Sequence, residues 1–337
     1  MKKKKKLLTG LLLLCLLLLC YFALKEFNRR QEEESQEETE TILDLEAENI
    51  NSFSFDLNGE TVTFTREDES WSLAGDETFP VDTDALASLL NYFSPLQAVR
   101  KLEDVDSDLS EFGLDTPQNK FEIGLDDGKT STITIGSTNS GTGDDYVMLN
   151  EDSDVIYTVS SNLRNAISDE LYDYALSDEV PTFTSEKIES ITLEDSENEY
   201  CLYKKDNEWY VSEINEGQDS AENGSPAEDE NVQSVTSDAV SLDYNSYVEH
   251  NCTDLSAYGL DQPARLTIVT ASDDETTTII LYIGDTDSAG NYYVQLEGST
   301  QVHTIASANL DDILNASADS LIKTEEETET EETETEE

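Results

Sequence analysis

Apolar and polar residues alternate in short runs along most of the chain. Phe53-Ser54-Phe55-Asp56-Leu57 and Thr61-Val62-Thr63-Phe64-Thr65 change character at every residue, the period of a half-buried strand. Asn58-Gly59 between them predicts a two-residue hairpin turn, and Trp71-Ser72-Leu73 a third short strand. The period then changes. Leu86, Leu89, Leu90 and Phe93 recur at helical spacing, with Asp82 or Asp84 placed to cap the helix and Pro95 to stop it. Four more strands are predicted at 121–125, 130–135, 146–149 and 155–159. A short helix carrying Leu163, Ile167 and Leu171 follows.

The same series then returns. Leu109-Ser110-Glu111-Phe112-Gly113-Leu114-Asp115-Thr116-Pro117 is answered by Leu255-Ser256-Ala257-Tyr258-Gly259-Leu260-Asp261-Gln262-Pro263. Likewise Ile135-Gly136 is answered by Ile283-Gly284, and Tyr146-Val147-Met148-Leu149 by Tyr293-Val294-Gln295-Leu296. Upstream, Trp71 is answered by Trp209. The second set of strands falls at 191–193, 200–203, 209–211, 266–269, 277–283, 292–296 and 302–305. Its weaker helix lies around 232–247, after a flexible insertion at 216–230. This is a tandem duplication of one folding unit. Strands in sequence with one inserted helix argue for an α+β fold of mostly antiparallel sheet, two homologous domains at 45–180 and 181–320.

Local chemistry explains the repeated turn. Gly113 and Gly259 permit positive φ, Leu114 and Leu260 can plug a core, and Pro117 and Pro263 hold the preceding residue extended before a strand. Asp115 and Asp261 are expected to fix the turn by bonding backbone amides two residues on. Trp71 and Trp209, both on a third strand, have two readings: roof of the domain core, or aromatic platform for a ligand.

The termini change the picture. Lys2–Lys6 precede an apolar run at 7–24, about 27 Å long as a helix and close to a bilayer's hydrocarbon thickness. No small-x-small cleavage site follows, and Cys15 and Cys20 are preceded by leucines, unlike a lipidated cysteine. Residues 1–30 are therefore expected to form a basic cytoplasmic tip and a single transmembrane anchor. Everything beyond lies outside the cytoplasm. Residues 31–44 are expected to be an acidic disordered stalk, and 321–337 an acidic disordered tail.

Net charge is −57, and eight of the 19 Lys and Arg lie before residue 31. Such a body repels nucleic acid and anionic lipid. Only Cys201 and Cys252 lie outside the anchor, both in the second copy, so no disulfide framework is shared by the repeats. The two histidines, His250 and His303, fit no metal spacing. Neither a phosphate loop nor a serine nucleophile elbow is present. Asp285-Thr286-Asp287-Ser288-Ala289-Gly290 starts like a calcium loop but fails at its fifth position, Ala289, and its twelfth, Leu296, so a hairpin turn is expected. Asp104, Asp106 and Asp108 could form a weak surface cation site. No cofactor, metal or catalytic set is predicted.

The turn L-S-x-[FY]-G-L-D-x-P, the strand pair ending in I-G and the Y-V-x-L run resemble a bacterial family known only as domain of unknown function 4340. The likeness covers nearly all of 45–320 as two copies. Members are typically exported, held by an N-terminal anchor or lipid, and often encoded beside ABC-type transporter components. The resemblance therefore implies an accessory role at the outer membrane face. With the anchor, the stalk, the duplication and no catalytic set in the sequence, the leading expectation is a non-enzymatic interaction module with transporter subunits as partners. It carries over no catalytic residue. The competing expectation is a cell-envelope ligand-binding module, for a saccharide, peptide or cation, using a groove between the repeats.

Overall fold

The computed structural model of the protein describes residues 39–68, 70–103, 105, 108–167, 170–196, 198–214, 224–272 and 275–323. The chain divides into two compact units. The first holds the described residues up to Glu77 together with Val81–Tyr174. The second holds Thr78–Pro80 and the chain from Ala175 onward.

In the first unit, β1 (Glu40–Leu43), β2 (Ile50–Leu57), β3 (Glu60–Glu67) and β4 (Ser70–Leu73) precede helix α1 (Thr83–Phe93). Then come β5 (Leu96–Ala98), β6 (Arg100–Glu103), β7 (Asn119–Leu125), β8 (Thr130–Thr138), β9 (Asp145–Leu149), β10 (Val155–Val159) and the single turn α2 (Asn162–Asn165). Eight strands share one sheet in the order β4-β3-β2-β7-β8-β9-β10-β6, and β1 pairs separately with β5. Glu40–Leu43 lies in the segment expected to be disordered stalk, yet it is strand. Ile42 and Leu43, half-buried, give it the apolar side that the acidic run before it lacks.

The second unit contains β11 (Ile188–Glu194), β12 (Glu199–Lys205), β13 (Glu208–Ser212), β14 (Ser225–Pro226), helix α3 (Asp229–Val240) and β15 (Ser246–Glu249). After these come β16 (Ala264–Ser272), β17 (Glu275–Thr286), β18 (Tyr292–Leu296), β19 (Val302–Ile305), α4 (Asp311–Asn315) and α5 (Ala318–Leu321). Its sheet runs β14-β13-β12-β11-β16-β17-β18-β19-β15. Strand for strand this is the order of the first unit, with β14 added outside β13. Every strand pair in both sheets is antiparallel. The architecture is α+β, built on two large antiparallel sheets.

Each helix seals one face of its sheet. Asp82 caps α1 by accepting from the Asp84 and Ala85 amides, and Leu86, Leu89, Leu90 and Phe93 are buried. Phe93 meets Phe53 with ring centroids 5.4 Å apart and Phe121 at 4.3 Å. Phe55, Phe64 and Tyr174 extend this aromatic core. The second unit replaces it with aliphatic residues: Ile191, Leu193, Leu202, Leu266 and Ile268 pack under Val232, Val235 and Ala239 of α3. Tyr200 is buried there, its hydroxyl donating to the Ile313 carbonyl at 3.0 Å. Burial, and to a lesser degree the Asp238 carboxylate, raises the pKa of that phenol above its ordinary value.

Helix α3 stops at Val240, short of the expected Tyr247, and Ser246–Glu249 is strand β15. Val240, Leu242, Tyr244 and Tyr247 sustain an apolar pattern that helix and strand share over so short a run. Its counterpart β6, Arg100–Glu103, is likewise a strand that the alternation does not predict. Among the described residues no helix is long and apolar enough to cross a membrane. The expected anchor at 7–24, the stalk before residue 39 and the tail from 324 lie outside the described residues. The first residues of the expected tail at 321–337 are ordered instead: Leu321 ends α5 and is buried, and Ile322 bridges to Ala227, because both are apolar and reach the core that the acidic run beyond cannot.

Candidate functional site

The three repeated motifs converge in each unit. Leu109–Phe112 forms a 3-10 turn closed by Gly113 at φ 67°, and Leu255–Tyr258 forms one closed by Gly259 at φ 69°. These left-handed positions return the chain to the sheet. A Cβ on Gly136 would overlap the Phe112 carbonyl oxygen, and one on Gly284 would overlap that of Tyr258. The ring of Phe112 meets Tyr146 edge-on at 5.0 Å, as Tyr258 meets Tyr293 at 5.0 Å. Leu114 and Leu260 are buried. Leu114 closes a small cluster with Met148 and Ile156. The turn, the glycine of I-G and the tyrosine of Y-V-x-L are thus parts of one fastening.

Asp115 and Asp261 are exposed and do not fix the turn as expected. Two residues beyond each stands a proline, which has no N–H to donate. Asp115 Oδ1 accepts instead from the Thr116 hydroxyl at 3.3 Å. The capping carboxylates are those of Asp108 and Asp254, which accept from the Ser110 amide at 3.1 Å and the Ser256 amide at 3.2 Å. Aspartate immediately before a short turn was the available signal. Pro117 and Pro263 stand just before β7 and β16.

A second repeated set surrounds the tryptophans. Arg66 lies across from Trp71 on β3 and β4, its guanidinium 5.5 Å from the ring centroid. Lys204 lies across from Trp209 on β12 and β13, with Nζ at 5.0 Å. Each cation also ties down a 3-10 turn, Ala47–Asn49 before β2 or Ser185–Lys187 before β11. Arg66 donates to the Ala47 carbonyl at 3.2 Å and to that of Glu48, and Lys204 donates to the Glu186 carbonyl at 2.9 Å. Asp68 and Asp206 occupy matching positive-φ turn positions, 56° and 53°. Glu48, Arg66, Asp68 and Trp71 are thus answered by Glu186, Lys204, Asp206 and Trp209. Only the tryptophans were visible as candidates, because the cations acquire their role through cross-strand register.

Each tryptophan has its own surroundings. Trp209 is half-buried and packs against the core of its unit. Trp71 is also half-buried but lines a groove of about 410 Å³ beside α1. Leu45, Ala47, Ile50, Ala87 and Leu90 supply its apolar surface. Glu48, Arg66, Asp68, Thr83, Asn91 and Ser94 supply the polar one.

Other candidates are accounted for locally. His303 is 1 % exposed and stacks on Tyr244 at 3.9 Å and Tyr247 at 4.3 Å. Burial pulls its pKa down to about 4, against a smaller opposing effect of Asp178. His250 packs edge-on against Phe79. Asp287 accepts from the amides of Ala289 at 2.7 Å and Asn291 at 2.9 Å and from the Asn291 side chain, which holds its carboxyl below the usual range. It closes a hairpin. Cys201 and Cys252 are free thiols. Five strands separate β12 from β15, roughly 25–30 Å at sheet spacing, far beyond disulfide reach. Asp104 and Asp106 lie outside the described residues, and Asp108 is the turn cap already described. Among the described residues no group of three or more His, Cys, Asp or Glu is arranged to hold a metal ion.

A family model described as Domain of unknown function (DUF4340) matches residues 71–263 and again 220–332. The two matches overlap and together span residues 71–332, reaching into both structural units. No curated protein and no solved structure matches the chain.

Proposed function

The chain belongs to the family of domain of unknown function 4340, a family without assigned chemistry, and from that premise we propose a role in binding and not in bond-making. The protein is a membrane-tethered, extracytoplasmic accessory protein. Residues 7–24 cross the bilayer once, the lysines before them stay in the cytoplasm, and both units work outside, against subunits of an ABC-type transport system. One observation carries this reading. In both units the repeated glycine, aromatic and leucine positions are consumed in packing the turn onto the sheet. What the molecule then has to offer is surface, and a net charge of −57 directs that surface away from nucleic acid and anionic lipid. Crosslinking in intact membranes, followed by purification through a tag on the chain, should recover transporter membrane subunits. Recovery of none at any crosslinker length would refute the assignment.

A second reading, a cell-envelope module that binds a small ligand, is favoured by the groove beside Trp71. Its size lies within the ordinary range for ligand sites.

A further inference from the structure

The groove beside Trp71 has a composition that selects among ligands. Its apolar side is firm: Ile50 and Leu90 are buried parts of the core, and Leu45, Ala47 and Ala87 continue that surface outward. Its one cation, Arg66, is held in the wall. Two of its nitrogens donate to the carbonyls of Ala47 and Glu48, and its guanidinium carbon lies 5.5 Å from the centroid of the Trp71 ring. Two carboxylates, Glu48 and Asp68, also line the groove, and among the described residues neither side chain has a hydrogen-bond or ion-pair partner. Acid groups thus outnumber cations two to one in the lining, within a chain of net charge −57.

The other repeat keeps part of this lining and changes part of it. The second unit keeps the acid, cation, acid and tryptophan at Glu186, Lys204, Asp206 and Trp209. At the positions of Leu45 and Ala87, however, it carries Phe183 and Gln233. Phe183 and Trp209 both pack against the core there. Leu45 and Ala87 are both shorter than their counterparts Phe183 and Gln233.

We infer that this groove binds an amphiphile with an apolar body and an ammonium head, a deepening that rests on the ligand-binding reading above. The body lies along Leu45, Ala47, Ile50, Ala87, Leu90 and Trp71, and the head meets Glu48 and Asp68. Charge complementarity decides the head group. An anionic head would need Arg66 to leave its carbonyls and would face two carboxylates at the exposed rim, whereas an ammonium head is attracted by both and a neutral one by neither.

The test uses the full chain in detergent-free nanodiscs and calorimetric titration with three probes of equal tail: octylammonium, octanol and octanoate. Octylammonium should bind at least tenfold more tightly than either of the others at physiological salt. Glu48→Gln with Asp68→Asn should remove that tenfold preference while leaving octanol unchanged. Asn tolerates the positive φ at position 68, so the variant keeps its turn. Ala87→Phe, which fills the groove from the exposed side of α1, should abolish binding of all three. Equal binding of octanol or octanoate would overturn the head-group assignment while leaving the groove reading intact. Octylammonium binding that survives Ala87→Phe would place the ligand elsewhere on the acidic surface and overturn both. Absence of binding by every probe would also overturn both.

Discussion

Gly284 lies flat against the backbone of Tyr258, so close that a methyl group on it would overlap the Tyr258 carbonyl oxygen; Gly136 stands in the same relation to Phe112. Here the turn motif and the I-G strand, 146 and 148 residues from their copies, lock together. Ala at either glycine must push the turn off its sheet. Gly136→Ala and Gly284→Ala should each cost about 2–3 kcal/mol in urea unfolding. Gly128→Ala, in an open hairpin with nothing within 4 Å of its Cβ position, should cost about 1 kcal/mol from its positive φ alone. Equal losses at all three would show that the close approach is not what matters.

The capping carboxylates separate from their neighbours in the same way. Asp108→Ala and Asp254→Ala remove a bond to an otherwise unserved amide and should each lower stability by about 1 kcal/mol. Asp115→Ala and Asp261→Ala should change it by less than about 0.5 kcal/mol, as exposed substitutions do. Reversed magnitudes in the same denaturation series would restore the aspartates of the G-L-D turn as its anchors.

Much of this fold could be read from residues alone, and the exceptions have physical causes. Long alternating runs such as Phe53–Leu57 gave correct strands because each buries one face. Asn58-Gly59 adopts φ 52° and 86°, as its hairpin requires. Strands β6 and β15 escaped notice because they sit at sheet edges, are four residues long and carry mixed side chains. The apolar run from Val240 to Tyr247 suited a helix as well as a strand. Arg66 and Lys204 could not be found by spacing along the chain, since only strand register sets them opposite tryptophans. The prolines at 117 and 263 did contain a signal that was missed: an aspartate cannot bond an amide that a proline lacks.

Arg66 covers Trp71 and closes the turn at Ala47–Asn49. Arg66→Ala should therefore lower the stability of the first unit by about 1–2 kcal/mol and shift tryptophan emission to the red. Arg66→Lys should recover roughly half of that, since the second unit uses lysine at the matching place. A neutral outcome for Arg66→Ala would reduce the stack to a surface ornament.

His303 gives the second unit a pH response. Its folded pKa, about 4, lies below the unfolded value near 6.5, so the ring binds its proton more weakly in the folded chain. The stability it contributes is complete above about pH 6.5 and is lost as the pH falls through 4. Between pH 7 and 4.5 that loss amounts to about 2 kcal/mol. Wild type should lose this much more than His303→Phe in parallel urea titrations, a difference that cancels the titration of the many carboxylates. Identical losses would mean that the Tyr244–His303 stack opens without cost.

The central claim is that both units stand outside the cytoplasm on one tether. Protease added to intact cells expressing the chain with a cytoplasmic tag before Lys2 measures this directly. The account predicts that the mass beyond residue 31 is removed while the tagged stub survives in the membrane fraction. Full-length protein that resists digestion until the cells are lysed would contradict it.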